Sequence, residues 1–412
     1  MKFELPRPVE GALKRLEDAG FAAYVVGGCV RDQVLGMTPH DFDICTAALP
    51  EEMKRIFRGD RVIETGMQHG TLTVVLDGMP LEITTFRLDG EYLDGRHPAS
   101  VQFTDRVEED LSRRDFTINA MAYSPARGLQ DPFGGRADCL AGIVRCVGEP
   151  EKRFHEDALR ILRALRFSAR LGFPIEENTA RAVRDGRAML EKISRERIAA
   201  ELTGLLLGGG AGRVLVAFPD VLCAALPLRD VTDSPDWPVT VRRVDAAPRD
   251  EALRWTALLW DLPGSAAREI LKGLKMPTRI IETVGSLVDT RDMPLRTDNI
   301  REALMRMGPD RLRQLILAQA ASQCAACPEK NADIHANALT LQAEADRLIR
   351  ENACFTLGQL AVGGRDMAAL GLRGQAIGAA LNALLLRVVR GEIPNERDAL
   401  LAAVREGAAD GE

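Results

Sequence analysis

Asp41-Phe42-Asp43 follows closely on Gly27-Gly28-Cys29-Val30-Arg31-Asp32 in this chain of 412 residues. On a strand, residues two apart project from one face, so the two carboxylates share a side. Such a pair can hold a hard cation, and Mg²⁺ is usually bound through one or two carboxylates plus substrate phosphates. Gly27 and Gly28 let the backbone turn tightly and approach a ligand, because neither has a Cβ. A Gly turn opening a helix also offers free N–H groups to a triphosphate, and Arg31 adds charge-assisted hydrogen bonds. No Gly-Lys-Ser/Thr follows, so this is not a Walker A loop. Paired cations activate an attacking hydroxyl and stabilise a leaving pyrophosphate, which makes nucleotidyl transfer the reaction class suggested. Glu82, on a later strand, is a candidate third ligand, weighed evenly against an ordinary strand residue. Taken alone, Asp-x-Asp is more often a solvated turn or helix cap; the Gly turn and Arg31 change that balance.

Two further constellations carry chemistry. In Arg113-Arg114-Asp115, arginine forks suit phosphate oxygens and the carboxylate suits ribose hydroxyls; the plainer reading is a surface cluster capping the next helix. In Glu156-Asp157-Ala-Leu-Arg160-Ile-Leu-Arg163-Ala-Leu-Arg166-Phe167, polar groups three apart on a helix neighbour one another. The plainer reading there is a solvated basic face with a Glu156–Arg160 pair. A carboxylate beside an arginine is nevertheless an acceptor beside a donor. Adenine and cytosine present the complementary donor and acceptor, whereas guanine and uracil present the reverse. An Asp157/Arg160 pair would therefore accept ATP and CTP and reject GTP and UTP without a template.

The elements that must position these groups are readable from pattern. Residues 8–19 have an amphipathic helical period closed by Gly20, and strands are expected near 22–26 and 41–45 with a short helix at 29–36 between them. Pro50 opens a helix to about 58. Thr71–Leu76 and Leu81–Arg87 are β-branched runs joined by Asp77-Gly78, a hairpin signal. Residues 88–110, rich in Gly, Asp, Pro and His, read as a long mobile loop. Beyond 150 the pattern is helical, at 155–171, 176–191 and 194–207, with Ser194 as an N-cap, and then at 251–262, 300–323, 333–352 and 375–390.

Bulk properties narrow the partners. The formal net charge is -6, yet residues 151–200 hold twelve Lys or Arg against eight Asp or Glu. A basic element on an acidic body fits an anionic partner bound at one place. The eight cysteines stand mostly alone, and Cys324-Ala-Ala-Cys327 lacks a second pair or His pair to complete a zinc set. No secretory h-region and no ~20-residue apolar span is present, so no membrane partner and a cytoplasmic location are expected.

The ordered motifs VVGGCVRD…DFDI, RRDFTINAMAY, EDALRILRALRFSARLGF and ISRERIAAEL resemble those of the bacterial-type (class II) tRNA nucleotidyltransferases, the CCA-adding enzymes. That family shares its head with bacterial poly(A) polymerases. The likeness is specific over about 20–205, and beyond that only helical character agrees. It implies an α+β fold, with a small polymerase-β-like head carrying a mixed or antiparallel sheet, followed by an all-α neck, body and tail. The divisions expected are 1–148, 149–208, 209–330 and 331–412. It also implies Mg²⁺ at Asp41 and Asp43, and nucleotide contacts from Gly28, Arg31 and Arg114. Asp157 and Arg160 would read the base, with Arg163 and Arg166 supporting nucleotide binding. The tRNA acceptor arm would lie along the helical part, and the 88–110 loop would correspond to the one that helps the family switch from C to A addition.

Template-independent addition of C, C and A to tRNA 3′ ends from CTP and ATP is thus the expected function, with pyrophosphate released. The alternatives are an A-only enzyme, a poly(A) polymerase, or a catalytically silent RNA-binding protein. Thr65-Gly66-Met67-Gln68-His69-Gly70-Thr71 looks more like the CCA-adding branch, and the presence of the 88–110 loop argues against a CC-only enzyme. Many relatives carry a C-terminal His-Asp phosphohydrolase domain. Here LRWTALLWDLPG has Trp260-Asp261 at the comparable place, so a metal phosphohydrolase site is not expected.

Overall fold

The computed structural model describes residues 3–90 and 101–409, which form two compact units, Met1–Asp233 and Ser234–Glu412. The first unit opens with the helix Arg7–Asp18, whose buried Val9, Ala12, Leu13 and Leu16 recur at helical spacing. Nine strands follow among the described residues: β1 (Ala23–Val26), β2 (Asp43–Thr46), β3 (Arg61–Ile63), β4 (Thr71–Leu76), β5 (Met79–Thr85), β6 (Arg87–Asp89), β7 (Val101–Phe103), β8 (Ala122–Ser124) and β9 (Gly128–Gln130). Seven make one sheet in the order β3-β4-β5-β2-β1-β8-β9. Only the β2–β5 pair is parallel, so the sheet is mixed, as expected.

The Asp-Gly hairpin forms as its residues dictate. Asp77 (φ 48) and Gly78 (φ 81) both take positive φ, as a two-residue turn matching the strand twist requires. Leu72, Val74 and Leu76 alternate into the core along β4. Tyr24, Val26, Cys45 and Phe86 cluster with Val107 and Leu111, which fixes the helix Val107–Ser112 against the sheet.

Several elements depart from the sequence expectation. β2 begins only at Asp43, because Val26 is the last β1 residue with a partner before Gly27 turns the chain away. Within the expected loop at 88–110, β6 pairs with β7 and the helix Val107–Ser112 follows; its segment 91–100 lies outside the described residues. The short strands β3, β8 and β9 carry too few residues for a period-2 signal. The expected 176–191 helix is α-helical only over Glu177–Asp185 and continues as a 3₁₀ helix over Gly186–Lys192. Ser194 stands at the N-cap of Arg195–Leu206, but its side chain makes no capping hydrogen bond.

The second unit is helical. Its chief core gathers Leu304, Leu312, Ile316, Leu341, Met367 and Leu384. The helix Ile300–Ala326 is interrupted at Gly308 (φ 76), just before Pro309, whose ring and missing N–H break the helical ladder. Asp261 accepts hydrogen bonds from Arg243 and Thr240 there. Among the described residues, no single helix is long and apolar enough to cross a membrane.

Candidate active site

The site is built around the end of β1. Gly27, at φ 80, adopts a conformation that side chains resist, and its N–H donates to the Met121 carbonyl at 3.1 Å. A Cβ at Gly27 would stand 3.1 Å from Arg114 Nη1, so the missing side chain makes room for that guanidinium.

Asp43 and Glu82 lie directly opposite across the parallel β2–β5 pair. Along 41–44 the side chains alternate: Asp41 and Asp43 are exposed while Phe42 and Ile44 are buried. The two carboxylates therefore keep the same side although only Asp43 belongs to the strand. Asp43 is solvent-accessible but recessed. Burial and the Glu82 charge push its carboxyl above its ordinary value, Asp41 adds to this, and Arg114 opposes it. Crowded acidic oxygens of this kind suit a divalent cation. Among the described residues no three His, Cys, Asp or Glu side chains make a complete metal cage, so the remaining ligands would have to come from substrate or water.

Arg114 is loosely held. Its Nη2 donates to Asp110 Oδ2 at 3.4 Å, and its buried Nε has no acceptor among the described residues. Arg113 is gripped more firmly, donating from Nε to Asp110 Oδ1 at 3.0 Å, with Nη2 in ion-pair contact with the same oxygen at 2.9 Å. Arg31, expected to add hydrogen bonds to a triphosphate, stands on the short helix that follows the Gly turn. It is buried against Gly28, donating to Asp32 Oδ1 at 2.6 and 2.9 Å and to Asn119 Oδ1 at 2.7 Å.

The Glu156–Arg166 run is not one continuous helix. Pro150–Glu156 ends at Asp157, and a second helix occupies Leu159–Leu171. Asp157 Oδ1 accepts from the Leu159 N–H, and Oδ2 accepts from Arg197 at 2.8 Å. Arg160 is buried, donating to Glu156 at 2.6 Å and to the Arg113 carbonyl at 2.9 Å. The Glu156–Arg160 pair weighed above is therefore present, and Asp157 and Arg160 are joined only through their backbones, by a 3.0 Å bond.

Arg163 and Arg166 tie this helix to its surroundings. Arg163 Nε donates to Asp115 Oδ2 at 2.7 Å, and Arg166 Nε donates to Glu201 Oε2 at 2.5 Å. Burial would raise the Asp115 carboxyl, but the Arg163 charge and its hydrogen bonds hold it below its ordinary value. Arg31, Arg163 and Arg166 all place their guanidinium carbons 4.5–5.5 Å from the Phe167 ring centre, within cation–π reach.

Three family models match successive parts of the chain. Residues 23–145 match the poly A polymerase head domain, 172–217 a probable RNA- and SrmB-binding site of polymerase A, and 247–404 a putative tRNA nucleotidyltransferase domain 2. The chain is 37% identical to the CCA-adding enzyme of Limosilactobacillus fermentum, covering 98% of this chain and 97% of that one. It belongs to the CCA-adding enzyme family. The CCA-adding enzyme of Geobacillus stearothermophilus is 36% identical, covering 96% of each chain. The crystal structure of the Bacillus stearothermophilus CCA-adding enzyme in complex with CTP superposes with a TM-score of 0.84 at 32% identity, covering 98% of this chain and 99% of that one.

Within that family assignment, the structure adds residues that the sequence reading did not single out: Asp110, Asn119, Phe167, Arg197 and Glu201. All five lie inside or beside the quoted motifs. Asn119 and Glu201 stand out as polar side chains among apolar neighbours, whereas Asp110 and Arg197 lie within charged runs, and no spacing rule names a partner for any of the five.

Proposed function

We propose that this protein is a template-independent nucleotidyltransferase that adds C, C and A to the 3′ end of tRNA from CTP and ATP. One observation carries the reaction class: Asp41, Asp43, Glu82 and Arg114 converge beside the Gly27 turn, on a chain related over nearly its full length to CCA-adding enzymes. The terminal ribose 3′-oxygen bonds the α-phosphorus as it loses its proton, and the bond to the bridging oxygen breaks to release pyrophosphate.

Nucleotidyltransferases of this kind generally depend on a divalent metal; Asp41 and Asp43 would hold it, Mg²⁺ in our reading, supplying charge to the attacking and leaving oxygens. Glu82, the register partner of Asp43, is a candidate third ligand. Arg114, with an unused Nε, serves the triphosphate. Gly28 leaves the backbone open to the nucleotide, and Arg31 shapes the turn from within. Asp157 and Arg160 read the base, with Arg163 and Arg166 bracing the helix that carries Arg160. In this reading 1–148 is the head, 149–208 the neck, 209–330 the body and 331–412 the tail. The helical part takes the acceptor arm, and the enzyme acts in the cytoplasm. Asp41→Ala tests the reading: transfer is lost while tRNA still binds. Undiminished turnover in the presence of Mg²⁺ overturns the metal assignment.

A further inference from the structure

Asp110 has a carboxylate with no exposed surface, deep in the head. Its Oδ1 accepts from the Arg87 backbone N–H at 3.3 Å and from Arg113 Nε at 3.0 Å, while Oδ2 accepts from Arg114 Nη2 at 3.4 Å. One buried group thus touches the start of β6 and both arginines of the Arg113-Arg114 pair. A buried carboxylate without partners is strongly disfavoured, so these contacts are what hold it in place.

The two arginines are held unequally. Arg113 donates one short hydrogen bond to Asp110 Oδ1 and makes a close ion-pair contact with the same oxygen, whereas Arg114 has one long bond, an Nε without a partner among the described residues, and a position that a Gly27 Cβ would crowd. Arg114 Nη1 also lies against the Gly27 turn, 3.1 Å from where a Cβ there would stand, at the end of β1 beside the β2 strand that carries Asp43. A guanidinium tethered this way is pre-aimed without being neutralised by a tight ion pair. It can turn its free donors onto a triphosphate while Asp110 keeps its stem in place.

We propose that Asp110 is a positioning residue for triphosphate binding, acting through Arg114 and linking it to the β6 end of the β6–β7 hairpin. This rests on the nucleotidyl-transfer reading above, and it concerns the phosphates, not the base. Asp110→Asn separates the functions of the carboxylate. Its amide oxygen still serves Arg87 and Arg113, while its NH₂ faces Arg114 as donor against donor.

The test is equilibrium binding of CTP and of CMP to the full chain, for wild type, Asp110→Asn, Arg114→Ala and the double variant, with steady-state kcat and KM on tRNA alongside. Asp110→Asn is expected to weaken CTP by about 10-fold, the loss of one charge-assisted hydrogen bond, while CMP changes less than about twofold. KM for CTP should rise more than kcat falls. On the Arg114→Ala background, Asp110→Asn should add less than about twofold, since residues acting through one another are not additive. Equal weakening of CTP and CMP, or a double variant reaching the product of the two single effects, overturns the proposal and leaves Asp110 a fold element. If Asp110→Asn does not fold, Asp110→Glu carries the test. It shifts the carboxylate that holds Arg114, so a loss of CTP over CMP that disappears on the Arg114→Ala background supports the proposal, while an unchanged CTP-to-CMP ratio overturns it. Failure to bind CTP at all in wild type counts against nucleotidyl transfer itself. Binding without transfer to tRNA leaves the Asp110 comparison readable.

Discussion

Asp43 on β2 and Glu82 on β5 are register partners across the one parallel pair in an otherwise antiparallel sheet. Parallel strands here bring two carboxylates from distant parts of the chain side by side, with Asp41 just beyond the strand end. Burial first, then Glu82, raises the Asp43 carboxyl. A carboxyl raised in the fold stabilises the protein below its unfolded value, and that contribution is lost as pH rises through the folded value. Without divalent metal, the protein should therefore lose stability as pH climbs through and above the ordinary carboxylate range. Mg²⁺ should restore it at neutral pH, with the increment fading as protons compete. Thermal melts with and without Mg²⁺ across pH measure this. Asp43→Asn should melt no lower than wild type without metal and show no Mg²⁺ increment.

The Asp115–Arg163 bond predicts the opposite pH sign. Asp115 is held low despite burial, so its stabilisation is present above the unfolded carboxyl value and lost as pH falls through the folded one. Arg163 is partly exposed, with 33% of its side-chain surface accessible, which moderates the loss. Asp115→Ala should cost roughly 2–3 kcal/mol in urea unfolding at neutral pH. The difference from wild type should shrink below the carboxylate range, and a difference independent of pH would contradict the assignment.

Much of this frame was legible beforehand, and what escaped has a physical cause. The β4–β5 hairpin follows from alternation and an Asp-Gly turn, both local signals. The exposed side shared by Asp41 and Asp43 follows from the same alternation. The partners of Arg31 escaped because one of them, Asn119, lies far along the chain. The break at Asp157 escaped because Asp157 accepts the Leu159 N–H and starts a new helix, while the three-residue spacing of the charges continues across it. Arg197 and Glu201 escaped for the same reason: their partners, Asp157 and Arg166, are set by helix packing.

Arg197 yields a prediction of its own. Asp157 is aimed by its 2.8 Å bond from Arg197. Asp157→Ala should reduce kcat/KM for CTP and ATP by about 10- to 100-fold, and discrimination against GTP and UTP should fall with it. Arg197→Met should show a smaller loss of the same selectivity, because the carboxylate remains but is no longer oriented. Competition assays with all four nucleotides measure it; unchanged rejection of GTP and UTP in both variants contradicts base reading by Asp157.

Gly27 tests the turn. Gly27→Ala forces a side chain into φ 80 and toward Arg114 Nη1. It should lower stability by about 1 kcal/mol or more and weaken CTP binding together, because both the backbone and the arginine must shift. Melting and CTP titration on one preparation check it. Loss of stability with unchanged CTP affinity would separate Arg114 from the phosphate role.

The most direct measurement is incorporation. Two tRNAs, one ending at the discriminator base and one ending in CC, are incubated with labelled CTP and labelled ATP, separately and together. The account predicts two C additions on the first, one A on the second, and a completed CCA on the first when both nucleotides are present. A alone on the CC-ending tRNA, with no C on the other, would make this an A-adding enzyme. Long A runs would make it a poly(A) polymerase, and no incorporation from an RNA-binding preparation would contradict catalysis altogether.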